Sequence, residues 1–419
     1  MRWPLSGMVG ASIALVLLSV GCSSTPDVDP PAKLEALQSA APVRVLWSQN
    51  LWSKLKGHDL RFAPLLHGDR LFVADNKGQV RCLNAQNGRI VWEVKTGLRI
   101  ASGPSLGAGL SSGPGGGLLL FGTHDAEVLA LRMDDGAVAW RSTVSSEVLA
   151  PPRATEYGVA VRTIDDKVFM LDAATGKRLW VHAQNVPVLT LRGTSSPVLA
   201  GEMIVVGFAN GILAAYNVRD GAPVWEARVG VPQGRSELEQ MIDVDADPVL
   251  VDGVIYAVSF QGRLVAVDQE SGRILWSRDM SAYADFVIDK DRIYITDHQG
   301  HVWALERSSG AALWKQDKLH GRGVTAPALA AACGILPIAA LAEPFARALP
   351  CAAQGDFLIV ADGEGMVHWL ARDDGRFVAR YALSEESGST PISVTPVVSG
   401  DIVYVRGNKG NLEALQLRK

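Results

Sequence analysis

Short runs in which apolar and polar residues alternate recur along the chain, each closed by a polar turn that usually carries glycine. Leu71-Phe72-Val73-Ala74 leads into Asp75-Asn76-Lys77-Gly78. Val80 and Cys82 then alternate with polar neighbours, and a second turn, Ala85-Gln86-Asn87-Gly88, opens onto Ile90-Val91-Trp92-Glu93. A period of two predicts strands, and Asn-Gly, Asp-Gly or Ser-Gly between them predicts hairpins. The unit reduces to one phrase: Gly, an apolar residue, a second Gly and Trp. It reads Gly78–Leu83–Gly88–Trp92, Ala126–Leu131–Gly136–Trp140 and Asp166–Leu171–Gly176–Trp180. It continues as Gly211–Tyr216–Gly221–Trp225, Gly262–Val267–Gly272–Trp276 and Gly300–Leu305–Gly310–Trp314. A degraded copy, Gly365–Leu370–Gly375–Ala379, precedes a last one, Gly410–Leu415, that reaches the C-terminus before its Trp.

The missing Trp stands at the other end, as Trp47 in Val43-Arg-Val-Leu-Trp. Eight units result, one shared between the termini. Repeats of this length indicate a solenoid, a propeller or an array, and a last unit completed by the N-terminal strand indicates a closed ring. A preceding apolar run, such as Ser196-Pro-Val-Leu-Ala or Thr395-Pro-Val-Val-Ser, supplies a fourth strand. The expected fold is all-β: an eight-bladed β-propeller of four-stranded antiparallel blades over residues 43–419, an arrangement that protects sheet edges by radial repetition. Seven of the eleven tryptophans share one register. Trp47, Trp92, Trp140, Trp180, Trp225, Trp276 and Trp314 are therefore expected to pack between blades, each indole N–H on a backbone carbonyl.

The first residues change the picture at one end. Arg2, the apolar Ile13-Ala-Leu-Val-Leu-Leu, and Ser19-Val20-Gly21-Cys22 read as a leader over 1–21. They resemble a bacterial lipoprotein cleavage box, with Ser19 where Leu is usual. Cys22 is the expected lipidation site, and Ser23, rather than Asp, is compatible with outer-membrane sorting. Residues 22–42 then read as the lipidated Cys and a flexible tether. The net charge of −4 is scattered, and no basic patch suggests nucleic acid.

Cys82 falls on a strand and reads as a small buried apolar residue. Between Trp314 and position 379 the spacing swells from about 45 residues to 65, which marks an insertion over about 328–354 in a turn of the seventh unit. An oxidising compartment permits a disulfide between Cys333 and Cys351 within it, worth roughly 3 kcal/mol in the chain-entropy model. The insert is apolar, so it reads either as a contact surface or as a loop without a role.

Catalytic signals fail one by one. Asp243-x-Asp245-x-Asp247 lacks the Gly and Glu of a calcium-binding helix–loop–helix, having Pro248 and Val254 there. His298-Gln-Gly-His301 straddles a turn without a third ligand nearby and reads as a pair of solvated histidines. No nucleophile elbow, phosphate loop or helix-borne zinc motif occurs. No cofactor or metal is expected.

The phrases resemble the quinoprotein-type repeat, which two eight-bladed families use. Quinone-dependent dehydrogenases are one, but they typically carry an adjacent Cys-Cys pair and long pocket-walling insertions that this chain lacks. The chain is more similar to the BamB family, lipoproteins of the outer-membrane β-barrel assembly machinery. That likeness runs from the lipobox to the C-terminus apart from the insert. Its most specific segments are Leu189-Thr-Leu-Arg-Gly-Thr-Ser-Ser-Pro and Asp243-Val-Asp-Ala-Asp-Pro-Val, with Ala284-Asp-Phe-Val-Ile-Asp and Gly365-Met-Val-His-Trp. The resemblance implies a periplasm-facing, outer-membrane-anchored scaffold, not an enzyme. It implies that Leu189, Leu191, Arg192, Asp243 and Asp245 bind the periplasmic domains of the central barrel subunit (BamA-like), with unfolded outer-membrane proteins as further partners. Alternation alone makes Leu189 and Leu191 strand residues facing a core, with Arg192 capping a turn. A propeller holding a small ligand in its channel is a third reading.

Overall fold

Each copy of the phrase folds into one four-stranded antiparallel sheet. The computed structural model describes residues 30–37, 40–51, 62–107, 117–184, 195–230, 242–330, 357–385 and 388–418. Among them there is no helix, and eight four-stranded blades account for all but a two-residue hairpin. Blade one is Leu65–His67, Arg70–Ala74, Gln79–Asn84 and Ile90–Lys95, and the next six repeat that order. In blade eight the strands Val397–Ser399, Ile402–Arg406 and Asn411–Leu417 are joined by Val43–Asn50 from the N-terminus, paired from Val43↔Leu417 to Asn50↔Asn411. The ring is closed as the sequence predicts.

The core lies in the gaps between blades. Eight apolar clusters fill them, one per gap. The last joins Tyr404, Leu412 and Ala414 of blade eight to Leu71, Val73 and Leu83 of blade one. Every tryptophan of the shared register sits on an outermost strand. Its indole N–H donates to the next blade, to Ala85, Met133, Ala173, Val218, Gln269, Arg307 and Arg372 in turn, at 2.9–3.1 Å. Each ring also lies on the second glycine of the next phrase. Gly375 shows why that residue has no side chain: its φ is +74°, and a Cβ would come within 2.6 Å of the Trp314 ring. Both constraints exclude other residues.

Blade seven reverses this arrangement. In the other blades a small or slender residue on the third strand pairs with the outer Trp, as Ala304↔Trp314 in blade six. In blade seven the pair is Trp369↔Ala379. Trp369 is 1% exposed and packs in one cluster with Val403, Val405 and Leu415 of blade eight. The seventh phrase is thus not degraded; its Trp has moved across one strand.

Antiparallel order sorts the connections onto two rims. One rim carries the turns between second and third strands together with the links from blade to blade. The other carries the remaining turns. Ala328–Ala330, which the sequence reading places inside the insertion, form the innermost strand of blade seven, paired with Phe357–Ala361. The rest of the insertion, with Cys333 and Cys351, lies outside the described residues. Part of the segment read as a tether is not free. Ala32 donates to the carbonyl of His320 at 2.9 Å. Arg322 donates to the Ala32 carbonyl at 3.0 Å and Arg380 to that of Glu35 at 2.8 Å. Leu34 packs against the core between blades six and seven.

Candidate partner-binding surface

Of the five expected contact residues, Asp243 and Asp245 are described; Leu189, Leu191 and Arg192 lie outside the described residues, as does Cys22. The segments that carry them are nevertheless anchored together. Residues 185–194 and 231–241 lie outside the described residues, but the described ends of the two links, from blade three to blade four and from blade four to blade five, lie at the first rim. The far end of the first link is Ser195-Ser196. The far end of the second is Ile242-Asp243-Val244, where Ile242 bridges Asn210, Val244 donates to the Phe208 carbonyl, and the Asp243 carbonyl accepts from Phe260.

The two ends meet over Gly207. A Cβ there would lie 2.4 Å from Val244 and 2.9 Å from the Ser195 hydroxyl. A close approach of two chain segments is one of the few positions that demand glycine inside a strand. Asp247 clamps the same junction. Its carboxylate accepts the Ser196 N–H at 2.7 Å and pairs with Arg153 at 2.5 Å, while its own N–H donates to Asp285 at 2.8 Å. Asp247, through its carboxylate and its backbone N–H together, therefore ties blades three and four to the links that lead into blades five and six.

Below Ser195 lies a buried ion pair that sequence reading missed. Arg162 donates to Asp166 at 2.7 Å, reaches the Ser195 hydroxyl at 3.4 Å, and stacks 5.2 Å from the Phe208 ring centroid. Its signal was Asp166 itself, which takes a positive φ of 51° where most copies place Gly. Asp tolerates this left-handed φ better than most residues, and here its carboxylate meets the Arg162 guanidinium.

Asp243 and Asp245 are 1% and 6% exposed. The expectation made them acceptors offered at a surface. The fold instead holds both below the surface of the isolated chain, on a backbone tied to blades four and five.

The other candidates resolve as structural groups. Cys82 is fully buried on its strand, and burial pushes its thiol up to about 11. His298 is exposed, but His301 is not the solvated turn residue the sequence suggests. It is buried, with Nδ1 2.8 Å from Asp297 and Nε2 3.3 Å from His320. Among the described residues no three His, Cys, Asp or Glu side chains are placed to hold a metal ion.

The family model described as outer membrane protein assembly factor BamB matches residues 38–105, 96–316 and 335–419. The chain is 37% identical over 406 residues to the assembly factor BamB of Alkalilimnicola ehrlichii, covering 97% of this chain and 96% of that one. Among solved structures it resembles BamB from Moraxella catarrhalis, with a TM-score of 0.72 and 26% identity over 90% of this chain and all of that one. A quinohemoprotein alcohol dehydrogenase from Pseudomonas putida shares the propeller at a TM-score of 0.64 but only 12% identity, a likeness of fold alone. The chain belongs to the BamB family of outer membrane protein assembly factors.

Proposed function

We propose that this chain is a non-enzymatic scaffold of the outer-membrane β-barrel assembly machinery. It is tethered through lipidated Cys22 to the outer membrane, faces the periplasm, and docks on the periplasmic domains of the central barrel subunit. The observation that supports the reading is the junction over Gly207, where Ser195 and Val244, which belong to the two family-specific segments, come together. Leu189 and Leu191 are the apolar anchors and Arg192 the donor, a usual make-up for an interface hot spot. Asp243 and Asp245, being buried, act by holding the end of their own link in place beside blades four and five. Docked in this way, the scaffold assists folding and insertion of outer-membrane proteins.

Titration calorimetry tests this, with the chain lacking residues 1–22 against the periplasmic domains of the cognate barrel subunit. Arg192→Glu is expected to cost at least about 2 kcal/mol of binding, as for a hot-spot charge reversal, without lowering the melting temperature. Absence of binding by the unsubstituted chain overturns the reading and turns attention to quinone and calcium titrations of the channel.

A further inference from the structure

Each blade ends in an outermost strand whose outer edge joins no further strand, although in blade seven Ala41 donates to Val378 there, and such edges invite strand addition unless they are blocked. Blocking is visible at the residue that follows the outer Trp, or Ala379 in blade seven, on the sheet face turned toward the preceding blade. That position holds Glu93, Arg141, Glu226, Ser277, Lys315, Arg380 and Ser48 in blades one, two, four, five, six, seven and eight. In blade three it holds Val181. The strand Arg178–Ala183 therefore shows Leu179, Val181 and Ala183 in succession on the sheet face opposite Trp180, the first two 53% and 43% exposed.

The backbone of this strand is available as well. Gln184 donates its N–H inward to Asp166. By the alternation of antiparallel pairing, His182 and Trp180 bond inward too, and Val181 and Ala183 turn their N–H and C=O groups to the open edge. Among the described residues nothing pairs with that edge. Exposed Lys177 and Arg178 stand at the start of the strand.

We propose that the outer edge of blade three, Leu179 to Ala183, is a docking site for an extended polypeptide segment that alternates apolar and polar side chains and ends in acidic residues. The segment adds as a fifth strand. Main-chain hydrogen bonds supply affinity, and its apolar side chains pair with Leu179 and Val181 across the new ladder. Its acidic end meets Lys177 and Arg178. At the position after the Trp seven edges carry a polar or charged side chain that an added strand would have to desolvate; blade three carries Val181 there. This deepens the assembly-factor reading, because a barrel strand awaiting its neighbours has this pattern, yet the site is tested apart from docking on the barrel subunit.

The test uses the full lipidated chain in nanodiscs and a fluorescein-labelled ten-residue peptide alternating valine and threonine and ending in two glutamates. Empty nanodiscs serve as the blank, and the readout is fluorescence anisotropy. Val181→Lys restores the side chain that blade six uses and keeps an aliphatic stem over its cross-strand partner Phe169. It is expected to weaken peptide binding at least tenfold with an unchanged melting temperature and unchanged docking on the barrel subunit. Val181→Thr, which keeps the β-branch, is expected to fall between. Methylating alternate amide nitrogens of the peptide is expected to abolish binding, since strand addition needs those donors. Equal binding to Val181→Lys, equal binding of the methylated peptide, or no binding to the unsubstituted chain overturns the proposal. So does self-association of the chain that Val181→Lys abolishes, without peptide binding, which makes a second copy the occupant. Loss of subunit docking with peptide binding intact would overturn the scaffold reading and leave this one standing.

Discussion

Blades six and seven fill their outward gaps with the same two residue types placed on opposite strands. In blade six Ala304 lies on the third strand and Trp314 on the outermost; in blade seven Trp369 lies on the third and Ala379 on the outermost. The difference follows from what each blade faces. Trp314 faces a turn in blade seven that offers the Arg372 carbonyl and the bare face of Gly375. Blade eight has no such turn, because its fourth strand is Val43–Asn50 and not the continuation of its third. An outer Trp on blade seven would have neither carbonyl nor glycine to meet. In its place residues 40–42 run alongside, with Ala41 donating to Val378 and Pro42 accepting from Arg418. The large ring moves inward, where blade eight still presents Val403, Val405 and Leu415. The tryptophan register is thus a property of a blade and its successor together.

Substitutions that exchange the two arrangements sharpen this comparison. Trp369→Ala opens a cavity in a fully enclosed site and is expected to cost about 4 to 5 kcal/mol in chemical denaturation. Trp225→Ala, at a half-buried outer position, loses less apolar contact and one hydrogen bond to Gln269; it is expected to cost about 3 kcal/mol. Restoring the general pattern in blade seven with Trp369→Ala and Ala379→Trp together is expected to recover less than half of the Trp369→Ala loss, since the new ring finds no glycine. Full recovery would refute the account of why blade seven differs. Gly375→Ala should cost roughly 2 kcal/mol or more, from its left-handed φ and from the displaced Trp314 ring, whereas Gly400→Ala, also at positive φ but with open space around it, should pay the backbone part alone.

The ring was legible in the sequence because the constraints that make it are local and repeated. Gly88 and its counterparts must be glycine, and Trp92 and its counterparts must find the next blade, so both leave a fixed spacing. The exchange in blade seven was written there too, as Trp369, but a pattern keyed on the outermost strand registers only the loss at Ala379. The candidate surface was legible less completely. Alternation separates buried from exposed residues inside a sheet and says nothing of a link between blades, so the burial of Asp243 and Asp245 and the clamp by Asp247 had no periodic signal. The contact of Ala32 to Glu35 with blades six and seven likewise left none, because an extended segment held by its carbonyls constrains no side chain.

The same two blades differ least, and most testably, in their response to acid. Both begin a turn with an aspartate whose carboxylate accepts nearby backbone N–H groups and meets a histidine: Asp297 with His301, and Asp362 with His368. Burial alone would raise Asp362, but hydrogen bonds from His368 and Arg322 outweigh it and hold the carboxyl below its ordinary range. His368 is lowered, first by burial, and the attraction of Asp362 does not offset this. Geometry agrees, since Arg380 donates to His368 Nδ1 at 3.2 Å and that nitrogen must be unprotonated to accept. Arg322, Arg380 and Asp362 are the charged groups around the ring, and two of them repel a proton. A histidine with a depressed folded pKa stabilises fully above its unfolded value near 6.5 and loses that contribution as pH falls through the folded one. Asp362 has the same sign but loses its contribution only at still lower pH. The melting temperature is therefore expected to drop between pH 7 and pH 5, and His368→Gln is expected to flatten that drop while lowering stability at pH 7. Because Arg322 and Arg380 also hold the Ala32 and Glu35 carbonyls, hydrogen exchange over residues 31–37 should rise as this contribution is lost. An exchange rate there that stays constant from pH 7 to pH 5, after correction for intrinsic chemistry, would separate the histidine from the segment it is argued to support.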